Sequence, residues 1–359
     1  MCLIVPVRNE AHALAATLAS IATQRTLHGA PFDLSRLEVL VLANNCSDDS
    51  AAVARACGRA HPGLTVHVEE VQLPPAQAHI GHVRALLMDA ACDRLACTAQ
   101  GAYVVSTDGD TVAHPHWLAC TLQAFEAGAD VVGGRILLDP QAPLDLATLR
   151  HHRCDTAHRL AQSRLEALID PDPSDPWPRH HQHFGASLAL RSRAYRQVGG
   201  IPAVRYLEDV ALVDACRLAD LRVRHCPLVR VWTSPRRIGR VEVGLSWQLQ
   251  QWAQHAQDDM PMWVENPDGF VARVQRRRRL REAWHAEMGA LHEGAATFGA
   301  RWAQTEPGEA DGVPYPGVPV REAIDRLKLL IRLHAEGGPP YVETHAKTHA
   351  KNRAKTSIR

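Results

Sequence analysis

Asp108-Gly109-Asp110 stands directly behind the apolar run Tyr103–Thr107 (YVVST), and that placement suggests a chemistry for its carboxylates. Two carboxylates split by one residue at a strand end can hold a divalent cation against a diphosphate. Mg2+ and Mn2+ prefer oxygen ligands and commonly complete their shells with water and phosphate oxygens. The intervening glycine lets backbone approach a ligand closely, and turn capping is the plain alternative. Asp170-Pro171-Asp172 repeats the spacing in a proline-rich loop (DPDPSDPWP) with no apolar run before it, which marks it as a decoy. Glu208-Asp209 opens an amphipathic pattern of Val210, Leu212, Val213, Cys216 and Leu218. Acids at a helix start suit the macrodipole; the same pair supplies a base if the fold brings it to Asp110. Two more polar clusters follow apolar runs: Pro6-Val7-Arg8-Asn9-Glu10 and Asn44-Asn45-Cys46-Ser47-Asp48-Asp49.

The elements that must position these clusters alternate. Apolar runs predict strands at Cys2–Val7, Leu37–Ala43, Leu64–Val71, Tyr103–Thr107 and Asp130–Leu138. Helical spacing predicts helices at Glu10–Gln24, Asp48–Arg59, Ala76–Leu95 and Pro115–Ala127. Such alternation implies a mostly parallel sheet covered on both faces, with ligands beyond the carboxyl ends of its strands. All four polar clusters fall at such ends. Further on, Ala147–Leu168 reads as a helix and Ala186–Leu190 as a strand, followed by helices at Ser192–Val198 and Leu207–Leu218. Val223–Trp232 then reads as one or two strands. Residues 241–333 read as mainly helical, broken by the proline- and glycine-rich Glu306–Pro319, and no boundary is marked before about residue 240.

Composition narrows the function classes. The chain has 359 residues, 46% hydrophobic and 22% charged, the mix of a soluble globular protein. No run of apolar residues is long enough to span a bilayer, and the opening MCLIVPVRNE leaves no room for a signal-peptide core. Nine cysteines without a C-x-x-C pair argue for reduced thiols and a cytoplasmic setting. Net charge is +1, with five Lys/Arg and no acid in His345–Arg359, a tail that reads as disordered and leaves −4 on the rest. That balance excludes a dedicated nucleic-acid binder and allows at most peripheral contact with an anionic membrane. His151, His152, Cys154 and His158 group together, as do His180, His181 and His183. Neither group has a second half at zinc-finger spacing, so surface or acceptor-site histidines are expected. Six arginines within Arg273–Arg281 are expected to form a solvated helix face.

Taken together, the four clusters resemble the family 2 glycosyltransferases of GT-A fold. LIVPVRNEAHALAATLASIATQ is similar to that family's first strand and helix, and VLVLANNCSDDSAAVARA to its nucleotide-binding strand and turn. STDGDTVAHPHWL resembles its metal motif. HFGASLALRSRAYRQVGGIP with YLEDVALVDACRLAD resembles its acceptor-side segment. The resemblance spans about residues 2–235. It implies an α/β, GT-A-like (Rossmann-like) fold, a mostly parallel central sheet flanked by helices with a helical C-terminal extension. It further implies that Pro6, Arg8, Glu10, Asn44, Asp48, Arg84 and Asp108 bind the nucleotide-sugar donor. Asp108 and Asp110 would hold Mn2+ or Mg2+, and Asp209, with Glu208 beside it, would be the general base of an inverting transfer to an acceptor hydroxyl. The family often has Asp where Ala43 stands, so uridine specificity is not implied. In place of the Q-x-x-R-W of processive members the chain has only Ser234-Pro235-Arg236-Arg237, so a processive synthase is not expected.

The expected organisation is a transferase domain at 1–240, with a nucleotide part to about 138 and an acceptor part from about 139. A helical region at 241–335 and a basic tail at 336–359 follow. The acceptor itself (saccharide, lipid-linked or small molecule) is not named by any motif. The alternatives are a nucleotidyltransferase, which would need a glycine-rich phosphate loop after the first strand, and a catalytically silent nucleotide-sugar-binding protein.

Overall fold

The computed structural model describes residues 1–96, 102–236, 239, 243–258, 260–286, 296–305 and 315–336. The basic tail, most of the Glu306–Pro319 loop and Arg237 lie outside them. Strands β1 (Cys2–Val7), β2 (Glu38–Asn44), β3 (Thr65–Val71) and β4 (Tyr103–Ser106) alternate with helices α1 (Leu14–Ala22), α2 (Ser50–Ala60) and α3 (Ile80–Leu95). There follow β5 (Thr111–Ala113), α4 (Trp117–Glu126), β6 (Val131–Leu138), α5 (Leu146–Ile169), β7 (Leu188–Arg191), α6 (Ser192–Gln197), α7 (Glu208–Leu218) and β8 (Val223–Thr233). The last part holds α8 (Leu245–Gln257), β9 (Trp263–Val264), α9 (Pro267–Ala286), α10 (Phe298–Thr305), β10 (Val318–Pro319) and α11 (Val320–Ala335).

Eight strands form one sheet in the order β3-β2-β1-β4-β7-β6-β8-β5. The β3-β2-β1-β4 half is parallel, β7 runs antiparallel between β4 and β6, and β5 is antiparallel to β8. Alternating side chains fill two cores. Leu3, Val5 and Val7 join Val39 and Val41 under α1, α2 and α4, while Cys2 and Ile4 join Leu40 and Leu42 under α3, α6 and α7. Pro6 sits in β1 without breaking the ladder. The Ile4 carbonyl accepts from Thr107 N–H at 3.1 Å, so Pro6, two residues on, faces the same side, where β4 pairing has ended and no N–H is needed.

The strand assignments agree with the sequence reading to within two residues, and the differences have local causes. The first helix starts at Leu14 rather than Glu10. Asn9 is left-handed (φ 55°), and the Glu10 and Ala11 N–H groups are taken by Ser50 Oγ at 2.8 Å and Asp48 Oδ2 at 3.0 Å. The third helix starts at Ile80, because residues from Pro74 form a turn with Gln77 N–H on the Pro74 carbonyl. Strand β5, three residues long, is too short to show a period. Val223–Thr233 is a single strand, and the three residues between Cys226 and Arg230 bulge out against Gly134/Arg135 of β6. A Cβ on Gly134 would run into Ser187, so the missing side chain lets the strand and the 185–187 turn lie against each other.

A third core joins Leu165 and Ile169 of α5 to Phe270, Val271 and Val274 of α9 and Leu327 and Leu330 of α11. The arginine run is part of this junction, which corrects the expected solvated face. Arg277 and Arg281 reach Asp170 Oδ2 at 2.7 and 3.2 Å, and Arg276 and Arg281 lie over the Trp302 and Phe298 rings. The decoy thereby finds a structural role: Asp170 is 2% exposed, and Asp172 accepts from Ser174 N–H at 2.8 Å. The described cysteines are free thiols. Among the described residues no helix is long and apolar enough to cross a membrane.

Removing one partner of a buried ion pair leaves an uncompensated charge. Asp170→Ala is therefore expected to lower unfolding free energy by about 3–5 kcal/mol, and Asp172→Ala by about 1 kcal/mol or less. Urea unfolding of both variants checks this ordering, and equal stabilities would contradict it.

Candidate functional site

Parallel strands β1, β2 and β4 end on one edge of the sheet, and antiparallel β7 begins there, with Ser106 opposite Leu188. Residues 8–10, 44–48, 107–110 and 185–187 consequently share that edge. Their loops are mutually braced. Asn9 Oδ1 accepts from Ser47 N–H at 2.7 Å, and Asp48 Oδ1 accepts from Ser50 Oγ at 2.5 Å. Burial of Asp48 works against its ionised form, but the Ser50 and Ala11 donors win and hold the carboxyl below its usual range. Thr107 Oγ1 donates to the Ala186 carbonyl at 3.0 Å and Ser106 Oγ to the Gly185 carbonyl at 2.8 Å, which ties the β4 end to the turn before β7.

Arg84, on the buried face of α3, organises the centre. Its side chain is 4% exposed; it donates to Asp108 Oδ1 at 2.8 Å and, in a close ion pair, to Glu208 Oε1. Burial alone would lower the pKa of the guanidinium, but Glu208, Asp108 and Asp209 outweigh it and raise it. For Glu208 burial dominates and pushes the carboxyl up against the attraction of Arg84. A Cβ on Gly185 would fall on the Arg84 guanidinium, so the turn can pass over the cation only as glycine.

The acids of α7 do not behave as ordinary helix caps. Leu207, the residue before the helix, is left-handed (φ 55°), a strained conformation for a bulky side chain, and it makes no side-chain cap. Glu208 turns to Arg84. Asp209, 9% exposed, accepts from Gly185 N–H on Oδ2 at 2.7 Å and from Val210 N–H on Oδ1 at 2.8 Å. The tertiary bond to Gly185 is one that a capping role alone does not require.

Arg236 is a site residue that the sequence reading missed. It follows β8 and contacts Glu10 Oε1 at 2.9 Å and Asp110 Oδ2 at 3.1 Å. Glu10 and Asp110 are both nearly sealed from solvent; burial raises the Asp110 carboxyl, and Arg236 opposes it. The sequence reading names it only within Ser234-Pro235-Arg236-Arg237 and gives it no role; its position just past a strand end is a further signal. The structure thus joins Asp108 and Glu208 through Arg84 and Glu10 and Asp110 through Arg236, with Asp209 held by the Gly185 and Val210 N–H groups. Arg8 is exposed and donates to the Ala78 carbonyl at 3.2 Å. Asn44 Oδ1 is buried without a hydrogen-bond partner, while Asn45 is occupied by both backbone groups of Leu73. Ala43 is 2% exposed, inside the sheet, and Pro6 is likewise buried in β1.

The donor chemistry fits a hard divalent cation. Asp108 presents a carboxylate about one-third exposed (36%), and Asp110 one almost sealed that already draws a cationic guanidinium. Both offer oxygen, leaving the rest of a shell to phosphate and water. No group of three or more His, Cys, Asp or Glu side chains suited to a metal occurs among the described residues, and this includes both histidine groups. His158 and His180 are buried, which corrects the surface reading for those two.

Among solved structures, a mannosyltransferase of Pyrobaculum calidifontis in complex with GDP-Man and Mn2+ is 16% identical, with a TM-score of 0.46, covering 93% of this chain and 85% of that one. TarS of S. aureus (residues 1–349) is 12% identical at a TM-score of 0.43, over 95% and 92% of the two chains. Glucosyl-3-phosphoglycerate synthase of Mycobacterium tuberculosis, in complex with Mn2+, UDP-Glc and phosphoglyceric acid, is 19% identical at a TM-score of 0.41, over 73% and 80%. No curated protein matches the chain. Residues 1–279 match the family described as glycosyltransferase like family 2. The chain therefore belongs to that family.

Proposed function

We propose that the chain is an inverting, metal-dependent glycosyltransferase in which Asp209 accepts the proton of an acceptor hydroxyl. The observation that supports this most directly is the bond from Gly185 N–H to Asp209. It orients a buried carboxylate next in sequence to Glu208, which pairs with Arg84, and Arg84 in turn pairs with Asp108. A base for the acceptor and a cationic wall for a diphosphate are thereby held by one turn. The acceptor oxygen attacks the anomeric carbon as the bond to the diphosphate breaks, so configuration inverts in a single displacement. No protein nucleophile takes part. A positioned general base contributes about 10²–10⁴-fold.

The roles divide by geometry. Glu208 is committed to Arg84, which makes it a positioning residue and leaves Asp209 as the base. Asp108 and Asp110 would hold Mn2+ or Mg2+, whose charge offsets that developing on the leaving diphosphate. Pro6, Arg8, Glu10, Asn44 and Asp48 would shape the nucleotide pocket. The domain division is residues 1–240 for transfer and 241–335 as a helical region built onto α5. A cytoplasmic setting with a nucleotide-sugar donor and an acceptor of open identity completes the reading.

Asp209→Asn keeps an oxygen for Gly185 N–H but cannot take up a proton at neutral pH. Transfer or donor hydrolysis should fall at least ~10²-fold, with nucleotide affinity and melting temperature preserved. Full activity in this variant would sink the base assignment. Glu208→Gln should instead lower the melting temperature, since it removes the charge facing buried Arg84.

Asp110→Ala should abolish Mn2+-dependent binding of nucleoside diphosphate while the chain stays folded, because Arg236 retains Glu10. Calorimetric titration with UDP and GDP, with and without Mn2+, reads this directly. Unchanged metal-dependent affinity would remove Asp110 from the cation site.

A further inference from the structure

Arg135 lies on β6 just past the irregularity at Gly134, and it is half-buried. Arg84, Arg179, Arg224, Arg236 and Arg277, buried or half-buried like it, each have a carboxylate partner. Arg135 has neither an ion pair nor a hydrogen bond among the described residues. It lines a cavity of about 30 Å³ together with His152, Thr156 and Leu160 of α5 and with His181 and Gln182 of the loop before β7. No carboxylate contributes to that lining.

The walls hold unused hydrogen-bonding capacity. His152 Nδ1 and His181 Nδ1 are buried without partners, and so is Nε2 of neighbouring His158, which is 5% exposed. Gln182 and His180, also in the lining, are satisfied. Gln182 pairs with both backbone groups of Ile136, at 2.8 and 3.1 Å, and His180 bridges Gln182 N–H and the Cys226 carbonyl, at 3.0 and 3.2 Å. Burial keeps the imidazoles neutral, pushing His181 down to about 3 and His152 and His158 below their ordinary value. A neutral imidazole still carries one N–H. An unpaired guanidinium, two unsatisfied imidazoles and no acid complement an oxyanion. Gln182 is three residues before Gly185, so the cavity wall is at most about 11 Å along the chain from the residue that orients Asp209.

Resting on the transferase reading above, we infer that this cavity is an acceptor subsite for an oxyanion, a phosphate or carboxylate carried by the acceptor. Arg135 supplies the charge, and the His152 and His181 N–H groups supply the direction. The cavity takes the anionic group only, and the hydroxyl that reacts lies on the Asp209 side.

The test measures inorganic phosphate binding by the full chain with nucleoside diphosphate and Mg2+ filling the donor site, by calorimetry and by phosphate-dependent rise in melting temperature. Wild type should bind saturably. Arg135→Gln and His181→Phe should each weaken phosphate about 10-fold or more, the size of a lost charged hydrogen bond, and Arg135→Lys should recover part of the loss. Nucleoside diphosphate affinity should be the same in all four proteins. Sedimentation with phosphatidic acid vesicles that is lost in Arg135→Gln would place the oxyanion on a lipid headgroup. Phosphate binding without sedimentation would place it on a soluble acceptor. Equal phosphate affinity in wild type and Arg135→Gln, or no saturable phosphate binding, overturns the subsite. Because nucleotide binding is read separately, its absence would count against the transferase reading alone.

Discussion

A buried guanidinium cannot shed its proton, so Arg84 has to be met by carboxylates wherever the fold places it. That requirement draws together parts of the chain far apart in sequence. Glu208 comes from the start of α7, Asp108 from the end of β4, and Gly185 closes over the cation from the turn before β7. Removing either acid would leave charge in a sealed environment, at a cost of several kcal/mol. The strained Leu207 belongs to the same constraint. Its left-handed backbone sets the start of α7 so that Glu208 faces Arg84 and Asp209 faces Gly185.

Arg236 plays the matching part on the other side of Asp108. It neutralises Glu10 and Asp110, two carboxylates that burial would otherwise disfavour. The site is therefore a row of acids, each held by a cation: Glu208 and Asp108 by Arg84, Glu10 and Asp110 by Arg236. In the proposed reaction the row accommodates a diphosphate and a divalent cation without leaving a buried carboxylate uncompensated. Asp209, the proposed base, is held by the backbone N–H groups of Gly185 and Val210 rather than by an arginine.

Much of this was legible in the sequence because strand ends in a parallel sheet are predictable. Apolar runs located β1, β2, β4 and β6, and the polar residues just beyond β1, β2 and β4 lie together on one edge of the sheet. The context of Asp108-Gly109-Asp110 separated it from Asp170-Pro171-Asp172, whose first acid holds two arginines of α9. What could not be read depended on tertiary contact. Arg236 has no local pattern, and its partners are more than 120 residues earlier. The arginine run looked solvated because helical spacing alone cannot reveal that Asp170 and two aromatic rings lie against it. Periodicity likewise gave no sign of β5, of the bulge in β8, or of the loop that takes the first residues from α1.

The account turns on a nucleotide sugar meeting Asp209 at the Arg84 centre with inversion at the anomeric carbon. The most direct measurement incubates the full chain with UDP-, GDP- and dTDP-sugars, with and without Mn2+, and follows nucleoside diphosphate and the anomeric proton of the released sugar by NMR. The account predicts metal-dependent release from one donor class, with the sugar first appearing in the anomeric configuration opposite to that of the donor. Retained configuration, or no release from any donor by folded protein, would contradict it.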